Sequence, residues 1–267
     1  MEFIINKEEL KNIKNGIFLY SLGGGYGNLA KIVGKKIKDS TNAKIIGRII
    51  TDFFPDIVYI DKNGMIKDNI SYKLYKTKIN EYDFIILYGD FQISILEDPG
   101  FSLYLRYKFT NKLFKILTRY NIQEYVILGG YYNMAMTVES DDPNYFFSFN
   151  KYYNIDKIKN KLGEINLMKN SNIIGMSGLT LYFSTLYKKP AYALLIETYP
   201  TPQINGYLGA KKAIEILSKI YDFNIDLKDL EDMGKKVREE ITRDINKIKE
   251  LEKQKEEQRR NEYFYFG

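Results

Sequence analysis

Short apolar runs, each closing on glycine or aspartate and each followed by a stretch of helical periodicity, recur along most of this chain. That alternation restricts the fold more than any other feature. Ile17-Phe18-Leu19-Tyr20 leads into Gly23-Gly24-Gly25 and an amphipathic stretch over 28–38. Residues 43–50 read as a strand. Residues 83–88 are apolar on both faces, as a buried parallel strand must be, and end at Gly89-Asp90. The spacing then predicts a helix over 99–120, a strand over 125–128 closed by Gly129-Gly130, a strand over 172–176, a helix over 179–188, and a strand over 191–196 closed by Glu197. Strands alternating with helices bury both faces of a parallel sheet. The expected fold class is therefore α/β: a three-layer α/β/α domain with a mostly parallel sheet, spanning residues 1–225.

Two segments interrupt the alternation. Residues 57–60 and 71–75 flank Asp61-Lys62-Asn63-Gly64 and read as a β-hairpin with an Asn-Gly turn. Asp141-Asp142-Pro143-Asn144 marks a surface loop before 145–149.

Beyond the α/β part, Asp226 is placed to cap a long C-terminal helix over 226–262. Leu230, Met233, Val237, Ile241, Ile245, Ile248 and Leu251 recur at a mean spacing of 3.5, the signature of a helix-packing or coiled-coil seam. Residues 252–262 contain no apolar side chain and form a solvated spacer, in which Lys253–Glu257 and Glu256–Arg260 sit at i,i+4. A continuous helix over 227–262 spans about 54 Å at 1.5 Å per residue, so its end projects beyond the body. The chain then ends in Tyr263-Phe264-Tyr265-Phe266-Gly267. Four rings beyond a polar spacer need a partner to bury them. Docking to another protein supplies one, and so does folding back on the chain itself or packing on a neighbouring subunit.

Composition removes whole classes of chemistry. The 267 residues include no cysteine and no histidine. Disulfides, thiolate nucleophiles, Cys-based zinc sites, Ser-His-Asp triads and imidazole acid–base catalysis are all excluded. The net charge of +6 is modest, and the lysines are interspersed with acids. That argues against a nucleic-acid partner, which calls for a basic stripe or patch. No apolar run reaches the roughly 18 residues of a membrane span, and the first residues lack the pattern of a signal peptide, so the expected location is cytoplasmic.

Three motifs remain as candidates for chemistry. Gly23-Gly24-Gly25-Tyr26-Gly27-Asn28 lies between a strand and a helix, where a phosphate-binding loop sits, and Asp52 follows at a plausible distance for a ribose contact. Neither frame completes G-x-G-x-x-G, and there is no Walker lysine. Gly175-Met176-Ser177-Gly178 approaches a nucleophile elbow, but Leu179 replaces the last glycine and no histidine is available. Asp90 and Glu197 both follow buried strands at the carboxyl edge, where α/β sheets hold ligands. A nucleotide- or sugar-phosphate-binding enzyme would use this loop with Asp90 or Glu197. Turn formation and backbone capping explain the same residues without a ligand.

In order and spacing, six short motifs resemble the proteasome assembly chaperone family of archaea and bacteria. They are Gly25-Tyr26-Gly27-Asn28-Leu29-Ala30, Asp52-Phe53-Phe54-Pro55, Leu87-Tyr88-Gly89-Asp90-Phe91-Gln92, Leu128-Gly129-Gly130-Tyr131, Ile174-Gly175-Met176-Ser177-Gly178-Leu179 and Glu197-Thr198-Tyr199-Pro200. The resemblance implies a three-layer domain, self-association with a tetramer favoured, no known catalysis and no cofactor. Archaeal members with a long C-terminal helix resemble ATP-independent activators or assembly factors of the core proteasome particle. They dock between outer-ring subunits through a terminal hydrophobic-tyrosine-any-residue motif. The matching positions here are Tyr265, Phe266 and Gly267, and Phe266 departs from the usual tyrosine.

Overall fold

The computed structural model describes residues 1–51, 54, 58–67, 71–93 and 98–265, with the backbone alone at 59, 67 and 257–265. Ten strands and seven α-helices are present among them. The strands are β1 (Glu2–Ile5), β2 (Gly16–Leu22), β3 (Lys44–Ile50), β4 (Tyr59–Ile60), β5 (Ile66–Lys67), β6 (Tyr72–Ile79), β7 (Tyr82–Gly89), β8 (Ile122–Tyr131), β9 (Tyr145–Phe149) and β10 (Ala191–Glu197). The helices are α1 (Lys7–Lys11), α2 (Leu29–Ser40), α3 (Pro99–Leu117), α4 (Asp156–Leu162), α5 (Gly175–Leu186), α6 (Tyr207–Tyr221) and α7 (Lys228–Tyr265).

Eight strands form one sheet in the order β1-β3-β6-β7-β2-β8-β10-β9. Its centre, β7-β2-β8-β10, is parallel, as the both-face apolar runs require. Every residue of β2 and β10 is buried. The flanking pairs β1–β3, β3–β6, β6–β7 and β10–β9 are antiparallel, so the whole sheet is mixed. One apolar layer lies between the sheet and α3 and α5, and includes Phe109, Phe114 and Phe183. A second lies under α2, α4 and α6, and includes Val33, Ile158 and Leu217. These are the expected three layers. Tyr20, Tyr72, Tyr125 and Tyr192 are fully buried in them, which accounts for part of the tyrosine content.

Two expectations are corrected. Residues 172–174 are not a strand, and α5 begins at Gly175. Gly175 has φ +83°, a left-handed conformation that stops an extended run at no cost to glycine. Nor does the sheet have room there, since β9 already pairs with the outer side of β10. The hairpin turn is where expected, with Asp61 Oδ1 accepting from the Asn63 and Met65 amides at 2.8 and 3.0 Å. However, its strands are β4 and β5, while 72–75 belong to β6 of the main sheet.

Asp226 caps the last helix as expected, accepting from the Lys228 amide at 3.0 Å. α7 packs on α6 at its base. Leu230 is buried, and a Cβ on Gly234 would lie 2.6 Å from Leu208 Cγ, so the absence of a side chain there lets the two helices meet.

Candidate functional site

Adjacent strands β2 and β8 send their connections in opposite directions, β2 through α2 to β3 on the β7 side of the sheet and β8 to β9 on the β10 side. Their carboxyl ends therefore form a topological switch point, where open α/β sheets leave a crevice. A cleft of about 470 Å³ occupies it, lined by Tyr26, Gln92, Gly130, Tyr131, Ile174 and Ser177 among others. Among the described residues, no charged side chain lines it.

The glycine-rich loop borders this cleft but spends four of its six amides on hydrogen bonds within the protein. Gly23 N donates to Gly89 O at 2.9 Å, Gly24 N to Asn28 Oδ1 at 2.9 Å, Gly27 N to Thr201 O at 3.1 Å and Asn28 N to Gly25 O at 3.0 Å. A phosphate cradle needs those donors free. The glycines are explained by close approach instead. A Cβ on Gly23 would sit 2.8 Å from the Asp90 carbonyl carbon, and Gly27, at φ +60°, packs against Thr198. The elbow-like motif resolves similarly: a Cβ on Gly178 would meet the Ile173 carbonyl, 2.9 Å from its carbon.

Asp90 and Glu197 do not pair. They end β7 and β10, with β2 and β8 between them, a separation of about 14 Å at three strand spacings. Asp90 forms an ion pair with Lys31 at 2.9 Å. Glu197 Oε2 accepts from the Asn144 side chain at 2.8 Å and from its amide at 3.2 Å, holding the β8–β9 loop. Both carboxylates are thus architectural. Asp52 lies outside the described residues.

The sequence reading passed over Glu139. It stands in the β8–β9 loop, yet its carboxylate reaches the first turn of α6, accepting from the Leu208 and Gly209 amides at 3.1 and 3.3 Å and from the Thr198 hydroxyl at 2.7 Å. α6 has no capping side chain of its own, because its N-cap is Gly206. A Cβ at Gly206 would lie 2.7 Å from Glu139 Oε1, so the glycine makes room for the substitute cap. Burial pushes the Glu139 carboxyl up to about 7, while these hydrogen bonds pull it the other way. The same loop is tied to α7 by Asp141–Arg238 at 2.7 Å and to α6 by Asp142–Lys212. The local sequence around Glu139 signals only a polar loop; its partners are some 60 to 70 residues away.

Further ion pairs fix the base of α7: Lys36–Asp229 at 2.5 Å and Lys211–Glu231 at 2.9 Å. Arg238 is the last α7 residue with a described side-chain hydrogen bond or ion pair to the body. From there the helix runs to Tyr265, about 40 Å further at 1.5 Å per residue. Of the expected docking residues, Tyr265 holds the final helical position, while Phe266 and Gly267 lie outside the described residues.

A mixed-sheet α/β/α body, a switch-point cleft whose described lining is uncharged, and a long projecting helix define the class. The chain belongs to the PAC2 family, whose model matches residues 24–244. Its fold is that of PbaB from Pyrococcus furiosus, an archaeal proteasome activator, with a TM-score of 0.76 and 22% identity over 92% of this chain and 98% of that one. PbaA from the same organism, an archaeal homologue of proteasome-assembly chaperone, superposes with a TM-score of 0.65 at 19% identity, covering 97% and 98% of the two chains. A Mycobacterium tuberculosis proteasome-assembly chaperone homologue gives 0.60 at 14% identity, covering 85% and 94%. Among curated protein sequences, none matches significantly. No helix among the described residues is long and apolar enough to cross a membrane.

Proposed function

We propose that this chain is a homo-oligomeric, cytoplasmic proteasome-binding protein that acts without ATP, as activator or assembly chaperone, by inserting its C-terminal tails between outer-ring subunits of the core particle. The observation that carries this reading is the projection of α7, which sets Tyr265 about 40 Å beyond the last described ion pair to the body. PAC2 membership supports the choice of partner. In this scheme Tyr265 and Phe266 fill an apolar slot and the Gly267 carboxylate meets a basic group. One short tail binds weakly; several on one oligomer gain by avidity. The gate shifts only to the extent that the open ring binds the tails better than the closed one.

Removing Tyr265, Phe266 and Gly267 is expected to abolish co-sedimentation with a matched core particle and to leave the oligomer intact. Equal binding and equal stimulation of peptide hydrolysis by the truncated protein would end this reading. Phe266→Tyr is expected to tighten binding about fivefold per engaged tail, since a restored hydrogen bond contributes about 1 kcal/mol. Titration of labelled tail peptides against the core particle measures that step. An unchanged affinity means the slot offers the phenol no partner.

A further inference from the structure

The apolar stripe of α7 is covered only at its base. Leu230 and Gly234 pack on α6, and the stripe then continues through Val237, Ile241, Ile245, Ile248 and Leu251. Ile248 and Leu251 are each 56% exposed, and beyond Arg238 the described side-chain hydrogen bonds and ion pairs of α7 stay within the helix. At about 100° per residue, 237, 241, 245, 248 and 251 fall within an arc of roughly 120°, on the same side as Leu230 and Gly234. The uncovered length is about 21 Å. Val237, Ile241 and Ile245 are half-buried, and exposure rises toward Ile248 and Leu251.

We propose that the occupant of this stripe is the same stripe of a second copy, forming a parallel helix pair that holds two bodies at one end and two tails at the other. Three observations select that occupant. The stripe continues the face already buried on α6, so it is a packing surface that outruns its intramolecular partner. Its steps of 4, 4, 3 and 3 residues average 3.5, a period that another helix of the same kind can track along its length. The stripe is flanked by charged residues, Glu240 and Lys247 on one side and Arg238 and Lys249 on the other, as the flanks of a helix pair are. Asp244 lies inside the same arc, about 20° from Val237, and is paired with Lys247 along its own helix at 3.9 Å.

The covered base sets the direction. An antiparallel overlap would lay the charged spacer of one copy, with Lys255, along the segment of the other where Leu230 and Gly234 already meet α6. A parallel overlap keeps both covered segments at one end. The proposal stands on the geometry of α7; it rests on the docking reading only in giving the paired tails a use.

Two variants test it by sedimentation and cross-linking of the full chain. Ile245→Glu with Ile248→Glu is expected to lower the sedimenting mass at least twofold without changing the melting of the body. Lys255→Cys, the only thiol in a chain without cysteine, is expected to give a covalent pair on mild oxidation. In a parallel pair the two positions face each other, whereas in an antiparallel overlap centred on 244 they lie roughly 33 Å apart, out of disulfide reach. A parent protein that sediments as a monomer, a double variant that keeps the parent's mass, or an oligomer without cross-link would each overturn the proposal. Truncation after Phe264 leaves the mass unchanged in this scheme. Loss or retention of core-particle binding in that truncation therefore decides docking independently.

Discussion

Glu139→Ala is expected to lower stability by about 3 kcal/mol, or roughly 6–10 °C in the melting midpoint of a chain of this size. The change strips the Thr198 hydroxyl and the Leu208 and Gly209 amides of their acceptor at once, in a buried corner where water does not replace it. It also frees the β8–β9 loop at the point where Asp141 grips α7. The pH dependence reports the burial of the carboxyl, which outweighs its hydrogen bonds. With its folded value raised from 4.5 to about 7, the native carboxyl holds a proton that the unfolded chain has already released. The stabilising difference is fully present below about 4.5 and is lost as the pH rises to about 7. Glu139→Gln does not titrate. Its melting midpoint relative to the parent is therefore expected to rise between pH 4.5 and 7 and to be constant above. Thermal denaturation of both proteins across that range checks the sign, and a constant difference throughout would show that Glu139 does not titrate as described.

Gly34→Ala is expected to destabilise by about 2–3 kcal/mol, the reverse of the usual effect. In an open helix interior, alanine in place of glycine stabilises by about 1 kcal/mol. Gly34 lies in α2 directly over β2, however, and a Cβ there would overlap Ser21 Oγ and sit 2.5 Å from Ser21 Cβ. Ser21 cannot turn aside, since it is fully buried and its hydroxyl donates to Ala30 O at 2.5 Å. The helix would have to lift off the sheet and open the layer that contains Leu19, Val33 and Ile86. Urea denaturation gives the size of the loss. Ser21→Gly in the same chain removes the obstructing Cβ, and the cost of Gly34→Ala in that background is expected to fall by more than half. If it does not, the close approach is not the cause.

Much of the architecture is legible in linear order. Runs apolar on both faces, such as Ile85-Ile86-Leu87, declare strands covered on two sides, and the intervening helical periods supply the covers. The projecting helix is equally plain, because its apolar period and its polar spacer are local properties. The segment 172–174 was misread for a reason of the opposite kind. Its apolar residues satisfy a strand pattern, but a strand needs a free neighbour, and β9 had taken the only side of β10 still open. Pairing with distant strands likewise placed 72–75, read as a hairpin arm, in β6 of the main sheet, between β3 and β7.

The glycine-rich loop and the two strand-end carboxylates show where sequence reading of the site stops. Type and spacing alone fit both a ligand cradle and a tight turn. Sheet order decides it, by putting two strands between Asp90 and Glu197 and by turning the loop amides inward. Glu139 is the converse case, a residue with no local signal whose role arises from contacts 59 to 70 positions away. The layers, the excluded chemistries and the long terminal helix are legible in the linear chain, since each follows from composition or from periodicity within one segment. Strand order, the use of the buried carboxylate and the point at which α7 leaves the body are set in three dimensions, because each depends on which distant segments compete for the same hydrogen bonds and the same apolar surface.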